Sequence, residues 1–500
     1  MFYNIDINKL LNLFVYDPHN PLLFGTSLFL FLFFGLLVFY RIFANNKNIR
    51  IIGILVFSLF FYYKATGIFF LILIVSTVIN FYVGKLIANM KTGTVKRLLV
   101  LIIALVINLG ALGYFKYTNF FLQILTDIHL GKFEPLDIFL PIGISFYTFK
   151  ALSYVIDIYL ETFQPVKSFR DFSLFMFFFP NILIGPIDRA ATFIPQIEGD
   201  QSINKEDIGK ALFLIMFGLL KKIAVADYIS INFVDRVFEV PLRFTGFENL
   251  MAVYGYAIQM YCDFSGYTDM ALGIALLLGF NLTENFRWPY KATSIADFWR
   301  RWHISLSSWL LDYLFRPLQI KFRSVQPLGN IAALMITFIV IGFWHGASWM
   351  YIVFGAIHGF YITVSLLTKK IKKKFFELTH LSNTKFLKVV QIIITFHLVV
   401  FAFIIFRAPD FTTVSNILSQ IFNAFHPEVI PQFLSGYTFI FGLMVLAMLV
   451  HYLPESWRYK VQARLASTPI IGQALILAIV IWIAIQVKSA DLQPYLYFKF

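Results

Sequence analysis

The chain has 500 residues, of which 59% are hydrophobic, 19% aromatic and only 14% charged, and its mean hydropathy is +0.75. A soluble domain carries about 25% charged residues, so this chain cannot cover a water-facing surface and reads as an all-α, polytopic integral membrane protein. Its net charge of +14 fits basic loops against anionic headgroups rather than nucleic acid, and a single cysteine, Cys262, excludes an intramolecular disulfide and any multi-cysteine metal or iron–sulfur site.

In chain order, "MFYNIDINKLLNLF" lacks a basic n-region leading into an apolar stretch, so it is expected to be an amphipathic lead-in rather than a removed signal peptide. Apolar runs follow at 22–40, 51–63, 67–84, 98–115, 136–159, 172–187, 210–232, 249–280, 329–345, 349–368, 386–406, 435–453 and 470–487. A span needs about 20 residues. The pattern predicts about 11 transmembrane helices plus re-entrant or interfacial segments, the short runs 51–63 and 172–187 being candidates for the latter. The chain has no soluble insertion and reads as a single membrane domain over 1–500. Lysine and arginine crowd the loops 41–50, 85–97, 369–374 ("KKIKKK") and 454–469. Such loops stay in the cytoplasm, which places both termini outside it. The basic stretch 281–328 is expected to be cytoplasmic too, lying on the membrane or partly in it.

Four clusters carry chemistry. "FFFPNILIGPIDRA" (177–190) holds two prolines and a glycine in a short apolar run, so it should be kinked or re-entrant. "MYCDFSGYTDMALG" (260–273) interrupts a long apolar run with Asp263, Ser265 and Asp269, which predicts a broken helix lining a cavity. "SIADFWRRWHISLSSWLLDYLFRPL" (294–318) predicts an amphipathic helix. Thr293 or Ser294 caps it, Asp297 follows in the first turn, and the stripe is Trp299, Trp302, Leu306, Trp309 and Leu310. Arg300 and Arg301 fall beside that stripe, and His303 lies at its edge near Ser305. "IVIGFWHGASWMY" (339–351) sets His345 between Trp344 and Gly346, inside a Gly342/Gly346 pair that permits close helix contact; Gly355 and Gly359 repeat the spacing. Ionisable groups at membrane depth are costly and mark function. Each histidine equally fits a packed helix in which it bonds a neighbouring carbonyl. Two histidines without a third ligand make a poor metal site, and the P-loop, H-E-x-x-H and G-x-S-x-G motifs are absent.

Together these segments resemble the membrane-bound O-acyltransferase family, in its bacterial branch of alginate O-acetylation and lipoteichoic-acid D-alanylation proteins. The resemblance rests on "LPIGISFYTFKALSYVIDIY" (140–159), "FFPNILIGPIDR" (178–189), "YCDFSGYTDMALGIALLLGFNLTENFRWPY" (261–290), "DFWRRWHISLSSWLLDYLFRPL" (297–318), "FWHGASW" (343–349) and "FRAPDF" (406–411), with a similar aromatic tail at 492–500. It spans about residues 20–500, with core motifs at 136–411. Two departures stand out. Leu311 precedes Asp312 where the family often has arginine, and "FPNILIGPI" replaces the "FPQLIAGPI" type.

The resemblance implies a fold around a central channel, with His345 as the catalytic histidine and His303 as the second functional one. It implies acyl transfer, as acetyl, from acetyl-CoA or another acyl thioester, with no bound cofactor and no metal. The acceptor would be an exported polysaccharide, reached through a periplasmic acetyltransferase partner, and the protein would lie in a bacterial inner membrane. Imidazole suits proton abstraction from a hydroxyl near neutral pH, and burial among Phe343, Trp344 and Trp349 disfavours the imidazolium. Asp263, Ser265, Asp269, Trp302, Trp344 and Ser305 would line the channel, and Arg300 and Arg301 would meet donor phosphates. D-alanyl transfer from a carrier protein and peptidoglycan O-acetylation remain open within the class. Outside it, a proton-coupled transporter or flippase would use the same acids and histidines as a relay; a scaffold would leave the paired histidine motifs without a purpose.

Overall fold

Backbone groups at membrane depth must be satisfied within their own segment, and the apolar runs accordingly fold as helices. The computed structural model describes residues 12–18, 20–199, 201–382, 384–487 and 495. Most of the N-terminal lead-in and of the aromatic tail lies outside them. Among the described residues the sole β feature is an isolated bridge between Phe286 and Trp302.

Among the described residues six helices are long and apolar enough to cross a membrane: Lys47–Ala88, Val95–Asp127, Leu328–His345, Trp349–Leu367, Lys385–Arg407 and Ile470–Val487. A seventh arises if Pro427–Gly436 and Thr438–Tyr452, bent by 93°, form one span. This is fewer than the 11 or so expected from apolar runs, for local reasons. The first of these, at 42 residues, takes in two of the runs, 51–63 and 67–84, with Gly67 at φ +56° between them. Ser27–Ile42 is short at 16 residues, the run at 172–187 is broken, and that at 210–232 passes from α-helix into π-helix at Leu220.

Two compact units emerge, Met1–Ala211 with Met270–Thr283, and Leu212–Asp269 with Glu284–Phe500. In the first, the phenyl rings of Phe24, Phe29, Phe33, Phe57, Phe61 and Phe179, some stacked and some edge-on, form an aromatic core. The segment 177–190 is buried there as the short helix Phe179–Ile182 followed by irregular chain, as its prolines predicted. Its polar groups are met by protein. The Phe179 N–H donates to Ser58 Oγ, and the Asn181 side chain accepts from Lys150 Nζ (3.1 Å) and donates to Asp188 (2.9 Å). Asp188 also accepts from the Thr283 hydroxyl and N–H. Asn80 and Asn108 exchange buried amide bonds of 3.0 Å between two helices.

In the second unit, helices Leu328–His345 and Trp349–Leu367 pack along the predicted glycine rows. A Cβ on Gly355 would fall 2.1 Å from the Phe338 carbonyl oxygen, and one on Gly342 2.1 Å from that of Tyr351. Backbone meets backbone, so neither neighbour can yield. Gly355→Val should therefore destabilise the protein by at least the ~1–3 kcal/mol typical of overpacking. This is checked as a lowered melting temperature in detergent; an unchanged midpoint would refute the close contact.

Candidate active site

His345 is the last residue of helix Leu328–His345, and Gly346 continues as extended chain. The side chain is 3% exposed. Its ring packs against Trp344 (centroids 5.1 Å apart), Phe406 (5.3 Å) and Phe354 (6.1 Å). The tight glycine contact holds this helix end beside Trp349–Leu367, whose first turn is capped by Ser348 Oγ accepting from the Met350 N–H.

His303 is placed differently. Ser294 caps the helix as predicted, accepting from the Asp297 N–H at 3.1 Å. The expected continuous amphipathic helix does not form, however. Helix Ile295–Trp299 stops, His303 adopts a left-handed conformation (φ +44°), and a new helix runs Ile304–Leu310. Asn285 imposes the break: its carbonyl oxygen accepts from the Ile304 N–H (3.0 Å) and its side-chain oxygen from the Ser305 N–H (3.2 Å). These bonds satisfy the open amides of the new helix. A non-glycine residue at positive φ is uncommon, and here it turns the imidazole inward, fully buried. Burial pushes the His303 pKa down to about 3.

Trp344 brings the two histidines into one cluster, with ring centroids 5.6 Å from His303 and 5.1 Å from His345. Trp302 stacks on Phe298 and meets Phe403. Ser305 is buried at the first turn after His303. His358 is buried nearby and accepts a hydrogen bond from Trp299 Nε1 (3.3 Å), as a packing histidine would.

The acids of 260–273 do not break their helix. Gly246–Leu277 is continuous over 32 residues, because the carboxylates find cations instead. Lys221 Nζ pairs with Asp269 (2.6 Å) and donates to Ser265 Oγ (2.8 Å), while Lys222 Nζ pairs with Asp263 (2.5 Å) and Asp227 (2.8 Å). The irregular helix is the partner, a π-helical stretch Leu220–Asp227 that presents consecutive lysines to different acids. Gly266 admits it, since a Cβ there would lie 2.9 Å from the Gly218 carbonyl oxygen. The lysine pair was missed by sequence reasoning; the signal was "KK" inside the apolar run 210–232, a few residues before Asp227. Also missed was His451, buried against Tyr261 and accepting from the Tyr290 N–H (3.2 Å). Phe264, between Asp263 and Ser265, sends its ring edge-on to His303 at 4.7 Å.

A cavity of about 380 Å³ lies on the other side of that aromatic layer, lined by Lys221, Asp269, Arg287, Trp288, Arg458 and Phe286 among others. The Phe286 ring touches Phe264 (4.9 Å) and Trp302 (5.0 Å), so one ring separates the cavity wall from the neighbours of His303. Arg301 is paired with Asp297 (3.0 Å). Arg300 is exposed and lines a separate, apolar groove. Neither arginine lines the charged cavity.

Two buried imidazoles thus share one tryptophan ring, with a charged cavity nearby, in a helical membrane protein. The membrane-bound O-acyltransferase family profile matches residues 165–408. The chain is 34% identical to a peptidoglycan O-acetyltransferase of Helicobacter pylori, over 79% of each chain. It is 34% identical to a probable alginate O-acetylase of Pseudomonas aeruginosa, over 80% of this chain and 75% of that one. Identity to a teichoic acid D-alanyltransferase of Bacillus subtilis is 30%, over 54% of this chain and 69% of that one. The protein belongs to the membrane-bound O-acyltransferase family and is an O-acyltransferase.

Proposed function

We propose that this enzyme moves an acetyl group from a cytoplasmic thioester donor across the membrane toward hydroxyls of a cell-surface polysaccharide. The observation that carries the reading is the contact of Trp344 with both His303 and His345, in a chain related to O-acetyltransferases over most of its length. His345 takes the acceptor hydroxyl proton as general base. The hydroxyl oxygen then bonds the acyl carbon, the carbon–sulfur bond breaks, and the thiol leaves with a proton. His303 orients the donor carbonyl. Loop 454–469 is basic and so faces the cytoplasm. On that orientation the cavity bearing Arg458, Arg287 and Lys221 admits the donor, its cations meeting phosphates. Both termini then lie outside the cytoplasm of a bacterial inner membrane, and a periplasmic partner hands the acetyl to its polymer. The Helicobacter pylori relative supports peptidoglycan as a second acceptor.

Membranes containing the enzyme, its partner and the polymer should transfer label from [14C]acetyl-CoA into alkali-labile ester. Label entering only from a D-alanyl-charged carrier protein would replace the acetyl reading with D-alanylation.

A further inference from the structure

A groove of about 440 Å³, apart from the histidine cluster, is walled by Trp299, Ile304 and Leu311 on one side and by Leu334, Phe338 and Ile341 of helix Leu328–His345 on the other. Its few hydroxyls are committed to nearby backbone carbonyls. Ser307 donates to the Trp302 carbonyl, Ser308 to that of Ser305 and Thr337 to that of Ala333. The polar group left at this groove is Arg300, exposed and with no ion pair among the described residues. Beyond the groove the surface stays apolar, with Ile339 37% and Leu328 70% exposed. In a membrane protein such a surface meets lipid rather than water.

We propose that this groove is a binding site for an anionic glycerophospholipid, one acyl chain lying along Phe338 and Ile341 and the headgroup phosphate meeting Arg300. An apolar trough with one cation at its edge matches both halves of that molecule. A water-soluble anion would use only the arginine and leave the trough bare; a neutral-headgroup lipid would leave the arginine unused. The bound chain would also buttress helix Ile304–Leu310, the element that begins at His303.

Native mass spectrometry of the full-length protein, titrated with phosphatidylglycerol in detergent, tests this. One phosphatidylglycerol should be retained above the background of the others. Arg300→Gln should weaken its retention roughly fivefold, the effect of one basic residue at an anionic lipid. Arg323→Gln, an exposed cation outside the groove, should leave it unchanged, and Thr337→Phe, which fills the trough, should displace it. Glycerol phosphate should not compete. Equal retention of phosphatidylcholine, no loss in Arg300→Gln, or full competition by glycerol phosphate would each overturn the assignment. Arg300→Gln alters only an exposed side chain, so that arm stands even if Thr337→Phe fails to accumulate.

Discussion

His345→Ala is expected to remove O-acetyl groups from the exported polymer while the protein still inserts and accumulates. A positioned general base contributes roughly 10²–10⁴-fold, and His345 is the buried imidazole held at a helix end by backbone-to-backbone glycine contacts. Its ring also packs on Phe354 and Phe406, so alanine removes packing as well as chemistry. His345→Gln separates the two: it restores bulk without a base and should be as inactive as alanine. The measurement is alkali-released acetate per polymer, set beside the melting temperature of each variant in detergent. Normal acetylation in either variant would sink the general-base assignment.

Lys222→Met should be the most destabilising single change in the lysine–acid cluster, worse than Asp263→Asn. The lysine and Asp263 side chains are 5% and 3% exposed, and Asp227 is 16% exposed. Removing the lysine takes away the cation shared by two carboxylates; removing one partner of a buried pair costs about 3–5 kcal/mol. Neutralising Asp263 leaves Lys222 paired with Asp227, so the loss should be smaller. The double variant Lys222→Met/Asp263→Asn should recover part of the stability that Lys222→Met loses. Fluorescence-detected gel filtration of the three proteins gives the ranking, and equal stability of the two single variants would contradict it.

Much of the site was legible because it is written in local or strongly coded signals. The Ser294 cap with Asp297 and the close glycine rows depend on residues near one another in sequence, and both are found; of the rings expected around His345, Trp344 packs on it, but Trp349 is exposed and the distant Phe354 and Phe406 complete the contact. The rest depends on distant partners. The stripe 294–318 reads as one helix because nothing within it announces that Asn285 will capture the Ile304 and Ser305 amides. The acids at 263 and 269 look like the cause of a helix break because their counter-ions sit more than one helix away in sequence, at Lys221 and Lys222. The helix count differs for a similar reason: hydropathy marks apolar chain, but continuity is set by points such as Gly67.

The π-helical stretch also forms a dividing wall. Lys221 faces the charged cavity, whereas Lys222 turns away from it and is covered by the ring of Tyr495 at 4.3 Å. Neighbours in sequence thus occupy surroundings of different polarity, separated by the thickness of a single backbone. Mobile ions that enter the cavity should screen the Lys221–Asp269 pair, while Lys222 and Asp263, 5% and 3% exposed, keep nearly their full attraction at any ionic strength. One pair is tuned by the solution, and the other belongs to the protein's dry interior.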